Sequence, residues 1–187
     1  RLRGEQMSLG LIYKNDKHVF DEAGDEVPFL EYPMLRKTGL VRHGFSTRLG
    51  GVSQGYYASM NLSFDRGDDP EAVRENFRRI GKAIGVAVED MVMSKQTHTT
   101  NVRVVTEDDR GKGITRERDY TDVDGLVTNV KGLCLVTSYA DCVPLYFADP
   151  VRNVIGLSHS GWRGTVGKIG KKTVELMAER FGSKPSD

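Results

Sequence analysis

Residues 133–164, LCLVTSYADCVPLYFADPVRNVIGLSHSGWRG, constrain the fold of this chain more than any other stretch. Two apolar runs flank Asp149-Pro150, a turn signal, so the segment reads as a β-hairpin. Each arm carries one potential metal ligand or nucleophile, Cys142 and His159. A hairpin symmetric about Pro150 and Val151 is closed by Ala148 opposite Asn153. That register sets Val154 against Phe147, Ile155 against Tyr146 and His159 against Cys142. Paired Cβ atoms on one face lie about 5 Å apart, the separation a shared metal ion requires. A one-residue bulge would break the register, so the pairing hangs on the geometry of the turn.

Composition narrows what surrounds this hairpin. A chain of 187 residues fits a single domain with a real core, expected to span 1–187. A net charge of +1, from 27 basic and 26 acidic residues, carries no polyelectrolyte signature. Nucleic acid is therefore not an expected partner, although a local anion site stays open. No apolar run approaches the ~18 residues that span a bilayer, so no membrane association is expected, and no signal-peptide pattern opens the chain. Two cysteines, one inside an apolar run at Cys134, make no disulfide framework, and a reducing, cytoplasmic setting is the default expectation. Residues 1–6 precede Met7 and are set aside from fold reasoning as an extension.

Strand-like runs cover residues 9–13, 19–20, 40–45, 91–93, 101–106, 124–128 and 133–137. The stretch from 43 to 63, rich in Gly, Ser and aromatic residues, is too irregular for a helix, and long ordered loops of this kind are usually functional. The clearest helix is 70–84, with Asp69 as N-cap, Pro70 at its first position and Gly85 just past its end. Val73, Phe77, Ile80 and Ile84 form its apolar stripe. Residues 108–119 read as a charged loop, and a last helix covers about 165–181 with Val166, Ile169, Thr173, Leu176 and Met177 facing inward. The predicted class is α+β.

Four histidines are present, His18, His43, His98 and His159. His98 follows a strand in a polar run and with Cys142 and His159 completes a His/Cys/His set. Three protein ligands with one open position suit a catalytic zinc. Asp141, beside Cys142, reads either as an acid/base or orienting group or as a turn carboxylate. Gly161-Trp162-Arg163-Gly164 ahead of the last helix, and Ser46-Thr47-Arg48 before Gly50-Gly51, each read as an anion-binding loop or as a tight turn with a structural arginine. Asp122 and Asp124 read as strand-start caps rather than paired acids. Met91 and Met93 read as core, and Trp162 either as a stacking surface or as packing beneath its loop.

The motifs HGFSTRLGGVS, NLSF, GDDPEAVRENFRRI, KQTH, DVDGLVT, TSYADCVPL and SHSGWRGT fall in an order that resembles the YfiH/YlmD family from about residue 40 onward. Members of that family carry two labels, laccase-like polyphenol oxidase and purine nucleoside phosphorylase with adenosine deaminase activity. The resemblance implies an α/β sandwich of mixed sheets flanked by helices, like the catalytic domain of cytotoxic necrotizing factor. It implies zinc ligands at His98, Cys142 and His159, which would suit copper as well. Asp141, Cys142 and His159 are the candidate catalytic residues, and Ser46, Arg48, Asn61, Gln96 and Arg163 the candidate phosphate- or nucleoside-binding residues. Ser160 stands where the family usually has alanine, a small change. Family members continue beyond the position of Asp187 with another strand and a Gly/Pro/Cys-containing motif, so either the sequence extends further or this form lacks part of the fold.

The function implied by the resemblance is zinc-dependent phosphorolysis of purine nucleosides, methylthioadenosine included, together with adenosine deamination. Purine nucleosides and phosphate would be the partners. Two alternatives use the same residues. A copper oxidase with a blue centre and a trinuclear cluster demands about ten histidines, more than the four present. A metal-free cysteine hydrolase would use Cys142 as nucleophile and His159 as base, with no need for His98.

Overall fold

The computed structural model describes residues 19–187, which divide into two compact units, one ending at Gly85 and the other spanning Val86–Asp187. The expected strand at 9–13, its following turn and His18 lie outside the described residues.

The first unit holds β1 (Asp21–Ala23), β2 (Phe29–Glu31), α1 (Pro33–Lys37), β3 (Phe45–Ser46) and α2 (Pro70–Ile84). The three short strands form one antiparallel sheet in the order β1-β2-β3. Of the strand predicted at 40–45 only Phe45 pairs, because β2 offers partners to Phe45 and Ser46 alone. Residues 19–20 stay outside the sheet, and pairing with β2 begins at Asp21.

Helix α2 matches the sequence signals. The Asp69 carboxylate accepts from the Glu71 amide, Pro70 opens the helix, and Gly85 closes it at φ +82°. Val73, Phe77 and Ile80 are buried as the stripe predicts, but so is Asn76, between them. Its Oδ1 accepts from Val52 N at 2.8 Å, and its Nδ2 donates to Ser53 Oγ and to Asn61 O. One amide on the buried face of a helix thus fastens the glycine-rich loop of residues 43–63. The partner groups would be left unsatisfied by truncation, and a buried orphan costs about 1–3 kcal/mol. Asn76→Ala is expected to destabilise this unit by at least ~2 kcal/mol, read as a lower denaturation midpoint at unchanged slope.

The second unit holds β4 (Met91–Met93), β5 (Val102–Val104), β6 (Gly125–Thr128), β7 (Cys134–Val136), β8 (Val143–Asp149), β9 (Val154–Ser160), α3 (Trp162–Val166) and α4 (Ile169–Phe181). A four-stranded mixed sheet, β5-β6-β9-β8, packs one face on the parallel pair β4-β7 and the other on α4. Strand β6 is therefore buried on both sides: Leu126 joins the cluster with Val92 and Leu135, while Val127 joins the cluster with Val154 and Met177. Met91 and Met93 are core, as predicted. The chain is α+β.

The β8–β9 hairpin forms, in a different register from the symmetric one. Asp149 pairs with Val154, Ala148 with Ile155, and His159 with Pro144 rather than Cys142. The reason lies in the turn. Asp149 Oδ1 accepts from the amides of Val151 and Arg152 at 2.8 and 2.9 Å, which stabilises a four-residue reversal. The displacement is two residues, so the alternation of faces survives and Cys142, just ahead of β8, stays on the side of His159. Pro144 is tolerated because β8 is an edge strand.

One further expectation is corrected, and a second gains detail. The last helix is split, since Lys168 takes a left-handed conformation at φ +60° between α3 and α4. The break changes the helical phase, leaving Val166 exposed while Ile169, Thr173 and Met177 remain buried. Residues 108–119 form a charged loop, part of which is buried. Lys112 is buried, with Nζ 2.7 Å from Asp109 Oδ1 and 2.8 Å from Asp119 Oδ2, and its carbonyl accepts from Met93 N beside β4. Burial pushes the Asp109 carboxyl up, but the Lys112 ammonium and the Thr106 amide together hold it below the usual carboxylate range. A carboxyl depressed in the folded state adds stability above its unfolded value near 3.8, and loses it as pH falls through the folded value. Lys112→Met should therefore cost about 2 kcal/mol at neutral pH, where it removes the nearer cation from the buried Asp109 and leaves it Arg103 Nη2 at 3.4 Å. Melting curves of variant and parent should converge as the pH is lowered below 4.

Candidate metal centre

Strand, loop and hairpin bring three side chains together in the second unit. Ligand atoms of His98, Cys142 and His159 all lie within 4.8 Å of one another, and among the described residues they form a group that could hold a metal ion. Cys142 Sγ is 3.9 Å from His98 Nε2, and the two imidazoles meet edge to face with centroids 4.9 Å apart. His159 is buried at the end of β9, whereas His98 is exposed, so the group opens to solvent on the His98 side.

The donor set fits a transition metal. His159 Nδ1 is 2.8 Å from Asp124 Oδ1, which leaves Nε2 for a ligand. Gly161 lines the group: a Cβ there would lie 2.9 Å from His98 Cδ2, 3.1 Å from Cys142 Sγ and 3.6 Å from His159 Cε1. Its φ of −73° suits any residue. Glycine is needed for room, not for backbone freedom. Two imidazoles and one thiolate suit zinc with an open fourth position, and copper as well.

Electrostatics separate the metal reading from the hydrolase reading. Burial pushes the Cys142 thiol up, and the hydrogen bond to Asp141 with the charges of Asp141 and Asp124 pushes it further. A cysteine nucleophile needs the opposite, a cationic environment that favours the thiolate. A bound divalent cation supplies that environment. The second cysteine, Cys134, is inert, its thiol pushed by burial up to about 12.

The other predicted residues fall into two groups. In the second unit, Asp141 is exposed, with Oδ1 3.6 Å from Cys142 Sγ. Gln96 braces the loop that carries Cys142: its Nε2 donates to Ser138 O and its Oε1 accepts from Ser138 N, each at 2.7 Å. Arg163 lies over the Trp162 ring at 5.3 Å, and both are exposed, so Trp162 does not pack beneath its loop. In the first unit, Ser46 is half-buried in β3. The Arg48 guanidinium grips Ala58 O through Nε and Nη2, and Asn61 is bonded to Asp68 Oδ2 and to the Ser63 backbone. Asp124 is the residue the sequence reading passed over, as a strand-start cap. A sequence signal existed in DVDG, but only the fold reveals that its carboxylate faces inward.

Residues 42–187 match the family model described as multi-copper polyphenol oxidoreductase laccase. The chain belongs to this family. YfiH/YlmD relatives include a Deinococcus radiodurans protein named purine nucleoside phosphorylase, 45% identical over 82% of this chain and 56% of its own. Bacillus subtilis YlmD, also named a purine nucleoside phosphorylase, is 40% identical over 77% of this chain and 52% of its own. A protein named adenosine deaminase RL5, from an unknown prokaryotic organism, is 38% identical over 73% and 53%. Among solved structures, Bacillus licheniformis YfiH is similar with a TM-score of 0.79 at 34% identity, covering 85% of this chain and 59% of that one. The chain spans about half the length of the curated relatives it matches.

Gly161→Ala tests the centre directly. The added methyl group must displace His98 and Cys142, so zinc affinity is expected to fall roughly tenfold or more while the metal-free protein keeps its melting temperature. Titration against a chromophoric chelator, paired with melting curves of the chelated protein, checks both halves.

Proposed function

We propose that this chain carries the metal centre of a zinc-dependent purine nucleoside phosphorylase that also deaminates adenosine and accepts methylthioadenosine. The observation that carries the reading is the convergence of His98, Cys142 and His159 with one side open to solvent. The names of the phosphorylase and deaminase relatives support the substrate class.

When bound by such a set, zinc supplies Lewis acidity and an acidified water. The chain's own residues must do the rest. Deamination replaces the exocyclic amine of adenosine with a water oxygen, and a proton must travel from that water to the departing amine. Asp141, exposed beside Cys142, is the proposed shuttle. Phosphorolysis exchanges the bond between sugar and base for a bond between sugar and phosphate, and the anionic nucleophile needs cationic donors. Arg163 is the proposed phosphate ligand in the second unit, with Gln96 holding the Ser138 backbone ahead of Cys142. Ser46, Arg48 and Asn61, within the first unit, are proposed as phosphate- or nucleoside-binding residues of that unit. Arg48 already spends Nε and Nη2 on Ala58, which leaves Nη1 for an anion.

The family description favours a copper reading. Copper in this proposal occupies the same three ligands. One copy of these 187 residues does not by itself supply a multicopper cluster, since about ten histidines would be required and the sequence has four.

Purified protein incubated with inosine or adenosine, with and without phosphate, tests the proposal when metal content is measured alongside. Free base is expected to appear only with phosphate, and ammonia from adenosine. His98→Ala should lose bound zinc together with at least ~100-fold of either rate. Stoichiometric zinc with no free base, sugar phosphate or ammonia formed would overturn it. Polyphenol oxidation dependent on copper would move the assignment to the second reading.

A further inference from the structure

Asp124 is fully buried immediately before β6, and every polar atom it has is engaged. Its Oδ2 accepts from Thr97 N and Thr99 N at 3.0 Å and from Thr99 Oγ1 at 3.1 Å. Its Oδ1 accepts from His98 N at 3.1 Å and lies 2.8 Å from His159 Nδ1. The Asp124 carbonyl accepts from His159 N at 2.7 Å, and its amide donates to Asn101 O at 2.9 Å.

Two things follow from that pattern. A carboxylate whose other contacts are all donors can only accept, so the imidazole beside it must carry its proton on Nδ1. In the neutral imidazole of His159, Nε2 is then the nitrogen with a lone pair. In addition, three successive amides, of residues 97, 98 and 99, converge on one side chain. His98 sits among them at φ +65°, a left-handed conformation that a non-glycine residue adopts only when its surroundings hold it there. Asp122 braces the outside of the same loop through Thr97 Oγ1 and Asn101 Nδ2, but touches neither histidine in this way.

We propose that Asp124 is the positioning residue of the centre: one buried carboxylate sets the tautomer of His159 and the backbone conformation of His98, so that two ligands from separate elements are placed by the same two oxygens. This rests on the metal reading of the site, yet its first consequence holds without metal. An amide at this position cannot replace the carboxylate. Turned one way its NH2 faces Thr97, Thr99 and the Thr99 hydroxyl; turned the other way it faces His98 N and His159. In the second case His159 Nδ1 must accept, and the proton moves to Nε2, where a metal would bind.

The test has two arms. Long-range 1H–15N correlation spectra of the chelator-treated wild-type protein report the tautomer of each imidazole. A protonated Nδ1 and bare Nε2 at His159 are expected; the reverse tautomer, or an even mixture, would overturn the proposal. This arm needs no variant, so it decides even where Asp124→Asn fails to fold. Zinc affinity of wild type and Asp124→Asn, measured by chelator competition, forms the second arm, with a loss of roughly 10–100-fold expected. The rise in melting temperature on adding zinc should shrink accordingly. An unchanged affinity in a variant that melts lower with and without zinc would make Asp124 a structural residue only, and overturn the assignment. A wild-type protein that binds no zinc would sink the metal reading, while the tautomer arm still judges Asp124.

Discussion

One carboxylate, that of Asp124, supports the arrangement of the centre. Burial of an ionised side chain is unfavourable unless its lone pairs are filled, and here five donors fill them. Burial alone pushes the Asp124 carboxyl up, yet the amides of Thr97 and Thr99, with His159 and the Thr99 hydroxyl, hold it below the usual range. The same bonds that stabilise the charge fix the loop of residues 97–99 against β9. A satisfied buried charge and an ordered ligand loop are, in this molecule, one feature.

The sheet explains why that feature can exist. Strand β6 lies in the interior of the four-stranded sheet, with apolar clusters on both faces, so the residue just before it emerges at a buried strand end. Its neighbour β9 pairs Ser158 with Gly125 and delivers His159 next to Asp124. The cysteine arrives from the other side of β9, on the segment before β8, and Gly161 leaves the space in which it meets the two imidazoles. The first unit is built on a comparable economy, with Asn76 on the buried face of α2 satisfying a loop that has little secondary structure of its own.

Elements whose signals are local were legible in the sequence. Helix α2 carries its cap, its opening proline, its apolar period and its closing glycine within the helix and its two flanking residues, and forms as read. Strands β4, β6 and β7 announce themselves through short apolar runs bounded by turns. Cys142 and His159 were also legible as neighbours, because the hairpin pattern preserves their side of the sheet even though the register differs by two residues, and His98 joins them from a loop outside the hairpin. The turn differs from the symmetric pattern: a side-chain acceptor at Asp149 captures two amides and moves the four-residue reversal one position along the chain, a contact that an apolar pattern does not encode.

The sequence by itself thus determined the class of the fold, the main helix, the hairpin and the identity of His98, Cys142 and His159 as a set. Only the tertiary structure decided which groups complete them. Asp124 reads as a cap, Gly161 as part of an anion loop or a tight turn and Lys112 only as one charge of a charged loop, and each acquires its role from atoms distant in the chain. The reason is physical. A buried polar group or a missing Cβ has no pattern of its own along the sequence, since its meaning is set by the donors, acceptors and volume that packing brings around it.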